Sequence, residues 1–159
     1  MTKTPKLTRQ EALDELKRYG ITGSQIYLID IIPLLEMIWA DGKPQDGEVA
    51  ILEDYLEKHV IHINELANCE LLTLEGARSF VLQFLRKRPD TELLKTLRSL
   101  VAPVRLSSSD TAENNALRES LLAACLDIVS SSVIEYPYRL GERFNPAEKR
   151  CFFEILESL

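Results

Sequence analysis

The chain is predicted to be all-α, a single compact domain over residues 1–159 with about seven helices. Three observations predict it. Helix start and stop signals divide almost the whole sequence. No segment sustains the strict alternation of a half-buried strand. A helix–turn–helix pattern at residues 36–57 returns in outline at 136–157, which suggests two pseudo-repeated halves.

The elements follow in order. Thr8-Arg-Gln-Glu11 reads as a capping box opening a helix to Tyr19, stopped by Gly20, with Ala12, Leu13 and Leu16 inward. A second helix is expected from Ser24 to Asp41. It is apolar on nearly every side, so it is central and buried, and Pro33 should kink or split it. A third starts at Gln45 or Asp46, carries Val49, Leu52, Tyr55, Leu56 and Val60 at helical spacing, and ends between His62 and Asn68. Thr73 caps a fourth, with Arg86-Lys-Arg88 expected in its last turn before Pro89. Thr91 opens a fifth that ends before Pro103. Asp110-Thr-Ala-Glu113 is another capping box, ahead of Leu117, Leu121, Cys125 and Ile128. Asn145-Pro-Ala-Glu148 starts the last helix, with proline where its missing N–H is harmless.

Composition narrows the function classes. A chain of 159 residues can bury a real core without disulfides or metal. The formal net charge of −6 argues against a nucleic-acid footprint and for a cation, a basic partner or solubility. Cys69, Cys125 and Cys151 are odd in number, far apart and outside any CxxC pair, as expected in a reducing compartment. The amino terminus has no apolar segment of signal-peptide type, and the longest apolar run, Ile26 to Ala40, is interrupted by Asp30, Pro33 and Glu36. The expectation is a cytoplasmic protein without direct membrane insertion.

The densest chemical signal is Trp39-Ala-Asp-Gly-Lys-Pro-Gln-Asp-Gly-Glu48. Asp41 and Glu48 close one helix and open the next, so the two carboxylates either share a cation or cap their own backbones. Carboxylates without thiolates favour Ca²⁺, Mg²⁺ or Mn²⁺ over Zn²⁺, and Asp46 is a further candidate ligand. An EF-hand is excluded, because counting from Asp41 puts Lys43 at the third position, Asp46 at the required glycine and Leu52 at the bidentate glutamate. At the echo, Glu148 matches Glu48.

Two further signals in the sequence are weaker. His59 and His62 lie three apart on one helix face, a spacing that can seat two imidazoles on Zn²⁺, with half-buried polar positions as the plainer reading. Arg86-Lys87-Arg88, with Lys95 and Arg98, reads as a solvated helix-end cluster rather than a phosphate dock. No Gly-rich phosphate loop and no serine-hydrolase elbow occurs.

The apolar helix followed by Ala40-Asp41-Gly42, a short link and Glu48 resembles the tellurite-resistance TerB-like family. That resemblance implies a compact helical fold of two similar halves, acidic corners that bind metal, and no established enzymatic activity. It also implies a cytoplasmic accessory role in tellurite resistance or stress response, with protein partners that include membrane-associated components. Carried over, Asp41 and Glu48 match the first corner; at the second Glu148 matches, while Gly141 stands where the family's second aspartate would be, with Glu142 beside it. The rival readings are a cation-independent protein-interaction module using the acidic surface and, behind it, a metal-dependent hydrolase.

Overall fold

The fold is organised around one short helix that has no solvent face. Every residue from Ile32 to Trp39 is buried, the charged Glu36 included. The structure, a computed structural model, describes residues 7–40, 44–106, 110–131 and 146–159. Among them it contains only helices and turns. The α-helices are α1 (Arg9–Arg18), α2 (Ile32–Trp39), α3 (Asp46–Ala67), α4 (Leu74–Leu85), α5 (Thr91–Ser99), α6 (Val101–Arg105), α7 (Thr111–Ser131) and α8 (Pro146–Ser158), and a 3₁₀ segment spans Gly23–Ile31.

Local chemistry sets most boundaries. Thr8 and Glu11 close the expected capping box on α1: the Glu11 N–H donates to the Thr8 hydroxyl, and the Thr8 N–H to the Glu11 carboxylate at 3.1 Å. Thr73 caps α4 through the Gly76 N–H, and Asp110 caps α7 through the N–H groups of Ala112 and Glu113. Helix α3 ends at Asn68 in the left-handed region at φ 56°, where asparagine replaces the usual glycine. Asn64 then ties down the following chain. Its amide donates to the Leu72 carbonyl at 2.8 Å and accepts from the N–H groups of Leu71 and Leu72.

Three boundaries differ from the sequence reading. The expected second helix is split, as Pro33 suggested, but its first half is 3₁₀ rather than α and Pro33 sits in the first turn of α2. The expected fifth helix is two pieces, with Pro103 inside α6, again in a first turn where its missing N–H breaks no bond. Helix α4 stops at Leu85, so Lys87 and Arg88 lie past its end. Arg88 instead donates to the Trp39 carbonyl at 3.4 Å, and the Trp39 indole donates to the Phe84 carbonyl at 2.9 Å.

One continuous core holds these elements together. Helix α2 packs against α3, α5, α7, α8 and the 3₁₀ segment, with Leu34, Leu35, Met37 and Ile38 fully enclosed. Helix α7 contributes Leu121, Cys125 and Ile128, one stripe at helical spacing, and α3 contributes Leu52, Leu56, Val60 and Ile63. Each enclosed Leu or Ile stabilises the fold by roughly 1.5–3 kcal/mol. Cys69 is exposed, Cys151 half-buried and Cys125 fully buried. No single helix is long and apolar enough to cross a membrane among the described residues.

Candidate functional site

Two helix starts place their glutamates alike. Glu48 is the third residue of α3 and Glu148 the third residue of α8, and both are buried, at 0% and 2% exposure. The stripes behind them agree as well: Ile51, Leu52, Tyr55 and Leu56 on α3, and Cys151, Phe152, Ile155 and Leu156 on α8, are all buried or half-buried. At the first corner the Gln45 N–H donates to Glu48 Oε1 at 3.0 Å, completing a capping box. The cap alternative is therefore realised for one carboxylate oxygen. Asp46, in the same turn, is exposed to solvent. Asp41, Gly141 and Glu142 lie outside the described residues. Among the described residues no three His, Cys, Asp or Glu side chains converge as a metal-holding group.

His59 and His62 are separated in role by the structure. Both line a cleft of about 690 Å³ between α3 and α7, together with Tyr55, Arg105, Leu117 and Ser120. His62 is exposed, whereas His59 is buried and already bonded. Its Nε2 lies 2.7 Å from the Tyr27 carbonyl, which can only accept, so Nε2 carries the proton. The ring stacks on Tyr55 at 5.8 Å. Burial lowers its pKa, opposed by Asp30 and by the Tyr27 carbonyl, and the imidazole stays neutral with Nδ1 as its lone-pair nitrogen.

Beneath His59 is an ion pair that the sequence reading did not assign. Asp30, fully enclosed, receives Arg105 Nε at 3.0 Å on each of its carboxylate oxygens, and His59 Nε2 stands 3.6 Å from Oδ2. The Arg105 guanidinium also lies over the Tyr27 ring at 5.0 Å. Burial pushes the Asp30 carboxyl upward, and Arg105, then His59, pull it back. Burial likewise raises the Tyr55 phenol, whose hydroxyl hydrogen-bonds Ser120.

A second buried acid, Glu36 on α2, faces Arg98 on α5 at 3.4 Å, and Arg98 reaches Glu154 on α8 at 3.6 Å. This corrects the reading of Arg98 as part of a solvated basic cluster. It is only 8% exposed and belongs to the interior, while Arg86, Lys87 and Arg88 are exposed as expected. The missed signal was present in the sequence. Asp30 and Glu36 interrupt an otherwise apolar run, and a carboxylate in a buried helix requires a cationic or hydrogen-bonding partner. What the sequence withheld was which arginine, since both partners lie more than sixty residues away.

Searches against protein families, curated proteins and solved structures find no match to this chain.

Proposed function

We propose that this chain is a non-enzymatic, TerB-like helical accessory protein that binds a hard divalent cation at its first acidic corner. The observation that carries the reading is the equivalence of Glu48 and Glu148. Two glutamates a hundred residues apart hold the same third position of their helices, both out of solvent, each ahead of an inward stripe of the same spacing. A duplicated, buried acid at a helix start is more than solubility requires. In this reading Asp41 and Glu48 supply the protein oxygens, Asp46 adds charge at the mouth, and water fills the remaining positions of Ca²⁺, Mg²⁺ or Mn²⁺.

The test is a calorimetric titration of metal-stripped protein with Ca²⁺, Mg²⁺, Mn²⁺ and Zn²⁺, repeated on Asp41→Asn/Glu48→Gln. Saturable binding by an oxygen-preferring ion, lost in the double variant, is the expected result. An unchanged isotherm in the variant, or no heat in the wild type, removes the corner as a cation site.

A second reading has its own observation. On α3, Ile61 and Leu66 are 52% and 63% exposed beside the exposed acids Asp54, Glu57 and Glu65. Apolar residues rimmed by carboxylates suit a basic amphipathic partner in a complex that weakens with salt. Such an interaction module needs no ion. It is checked by whether partners captured on immobilised protein are released by Glu57→Lys and by raised salt.

A further inference from the structure

A cavity of about 220 Å³ lies between α2, α5 and α8, apart from both the α3 acidic face and the histidine cleft. Its size corresponds to about seven waters at ~30 Å³ each, so it suits a ligand of a few heavy atoms rather than a drug-sized molecule. The walls are mixed. Glu36 and Glu154 supply carboxylates, Arg88, Lys95 and Arg150 supply cations, and Trp39, Leu94 and Cys151 supply apolar surface. Thr91, the first residue of α5, and Ala147, the second of α8, also line it, so the positive ends of two helices border the same space.

The acid side is incompletely satisfied. Glu36 is 8% exposed, its Oε2 faces Arg98 at 3.4 Å, and its Oε1 has no hydrogen-bond partner. A buried carboxylate oxygen left this way is destabilising unless a donor reaches it. On the basic side, neither Arg88 nor Arg150 makes an ion pair within 4.0 Å among the described residues, and Arg88 donates only to the Trp39 carbonyl. A metal ion is disfavoured by four arginine or lysine side chains in or against the walls. A simple anion would leave Glu36 unanswered. A ligand carrying both charges answers each side.

We propose that this cavity binds a free α-amino acid, its ammonium on Glu36 and Glu154 and its carboxylate on Arg88 and Arg150 beside the starts of α5 and α8. Trp39 and Leu94 then receive a small aliphatic side chain. The titration of Glu36 agrees with this. Burial raises its pKa to about 7 against the pull of Arg98, so an arriving ammonium ionises it and drives off a proton. Neither Asp46 nor Glu48 lines this cavity.

The experiment is calorimetry of the full chain with the standard amino acids one at a time, in two buffers of different ionisation enthalpy. Leucine is then compared with 4-methylpentanoate, which lacks its amine, and with isoamylamine, which lacks its carboxylate. The expected result is saturable amino-acid binding with proton release near neutral pH, and at least tenfold weaker binding of both truncated compounds. Glu36→Gln weakens it as much, as does Arg150→Ala, whose exposed position leaves folding intact, while Glu53→Gln on α3, which does not line the cavity, leaves it unchanged. No binding by any amino acid up to about 10 mM overturns the proposal. So does equal binding of 4-methylpentanoate, which would mark a plain anion site, or full affinity in folded Arg150→Ala.

Discussion

Asp30 and Glu36 sit on one apolar stretch, one in the 3₁₀ segment and one in α2, and each meets an arginine from the α5–α6 strand of chain. The pairing is antiparallel: Asp30 takes Arg105, and the later Glu36 takes the earlier Arg98. Burial is severe for both acids, yet they are treated differently. Asp30 has two 3.0 Å contacts, a histidine beside it and a tyrosine ring under its arginine. Glu36 has a single 3.4 Å approach, an oxygen without a partner and a cavity at its side. Buried charge of the first kind fixes a register. Buried charge of the second kind stays available for titration or a ligand.

The largest effect is expected from breaking the tight pair. Arg105→Met strands a fully enclosed aspartate and should lower unfolding free energy by about 3–5 kcal/mol in urea titrations. Arg98→Met should lower it by only about 1–3 kcal/mol at neutral pH, because Glu36 can take up a proton and become neutral. Equal losses in the two variants would erase the distinction drawn between the two acids.

The pH dependence sharpens the same contrast. The Glu36 carboxyl is raised from 4.5 to about 7 in the folded protein, so folding favours its protonated form. Its contribution is complete below pH 4.5 and is lost as pH rises through 7. Measured against Glu36→Gln, wild-type stability should fall by roughly 2–3 kcal/mol across that window, since each pKa unit is worth about 1.4 kcal/mol. His59 works in the opposite sense. Its pKa is lowered, so its contribution is present above its ordinary value of 6.5 and is lost as the pH falls through the lowered one. Because both proteins keep His59, its effect cancels in the difference. A flat difference curve from a series of urea midpoints would contradict the burial of Glu36.

The architecture was legible in the sequence because its causes are local. Capping boxes at Thr8 and Gln45, the caps at Thr73 and Asp110, and the all-apolar character of α2 are written in neighbouring residues. The 3₁₀ geometry before Pro33 was not legible, since proline announces a break without specifying the hydrogen bonding on its amino-terminal side. Among the candidate site residues, the corner glutamates were found by spacing and prove to be matched in position and burial. The pairing of His59 with a backbone carbonyl, and the arginine partners of Asp30 and Glu36, depend on how helices cross. No short window of sequence contains that information.

Two smaller perturbations bracket the comparison from below. Tyr27→Leu removes the ring under Arg105 and should cost about 0.5–1 kcal/mol, read as a shift in urea midpoint beyond that of a distant surface change. Such a surface change is Glu53→Gln, which breaks the 3.1 Å pair to Arg78. Both partners of that pair are half-exposed, at 49% and 39%, and the expected loss is under about 0.5 kcal/mol. If Glu53→Gln proved as damaging as Tyr27→Leu, burial would not be what separates interior from surface ion pairs here.

The graded cysteines make the molecule its own clock. Cys69 meets reagent at once, Cys151 stands at the wall of the amino-acid cavity, and Cys125 is sealed in the core. Burial raises the Cys151 thiol to about 12 and pushes Cys125 higher still, so neither yields appreciable thiolate while the helices stay docked. Alkylation at Cys125 therefore counts openings of the core, while half-buried Cys151 reports access to the cavity wall, and the ratio of their labelling rates would separate the two.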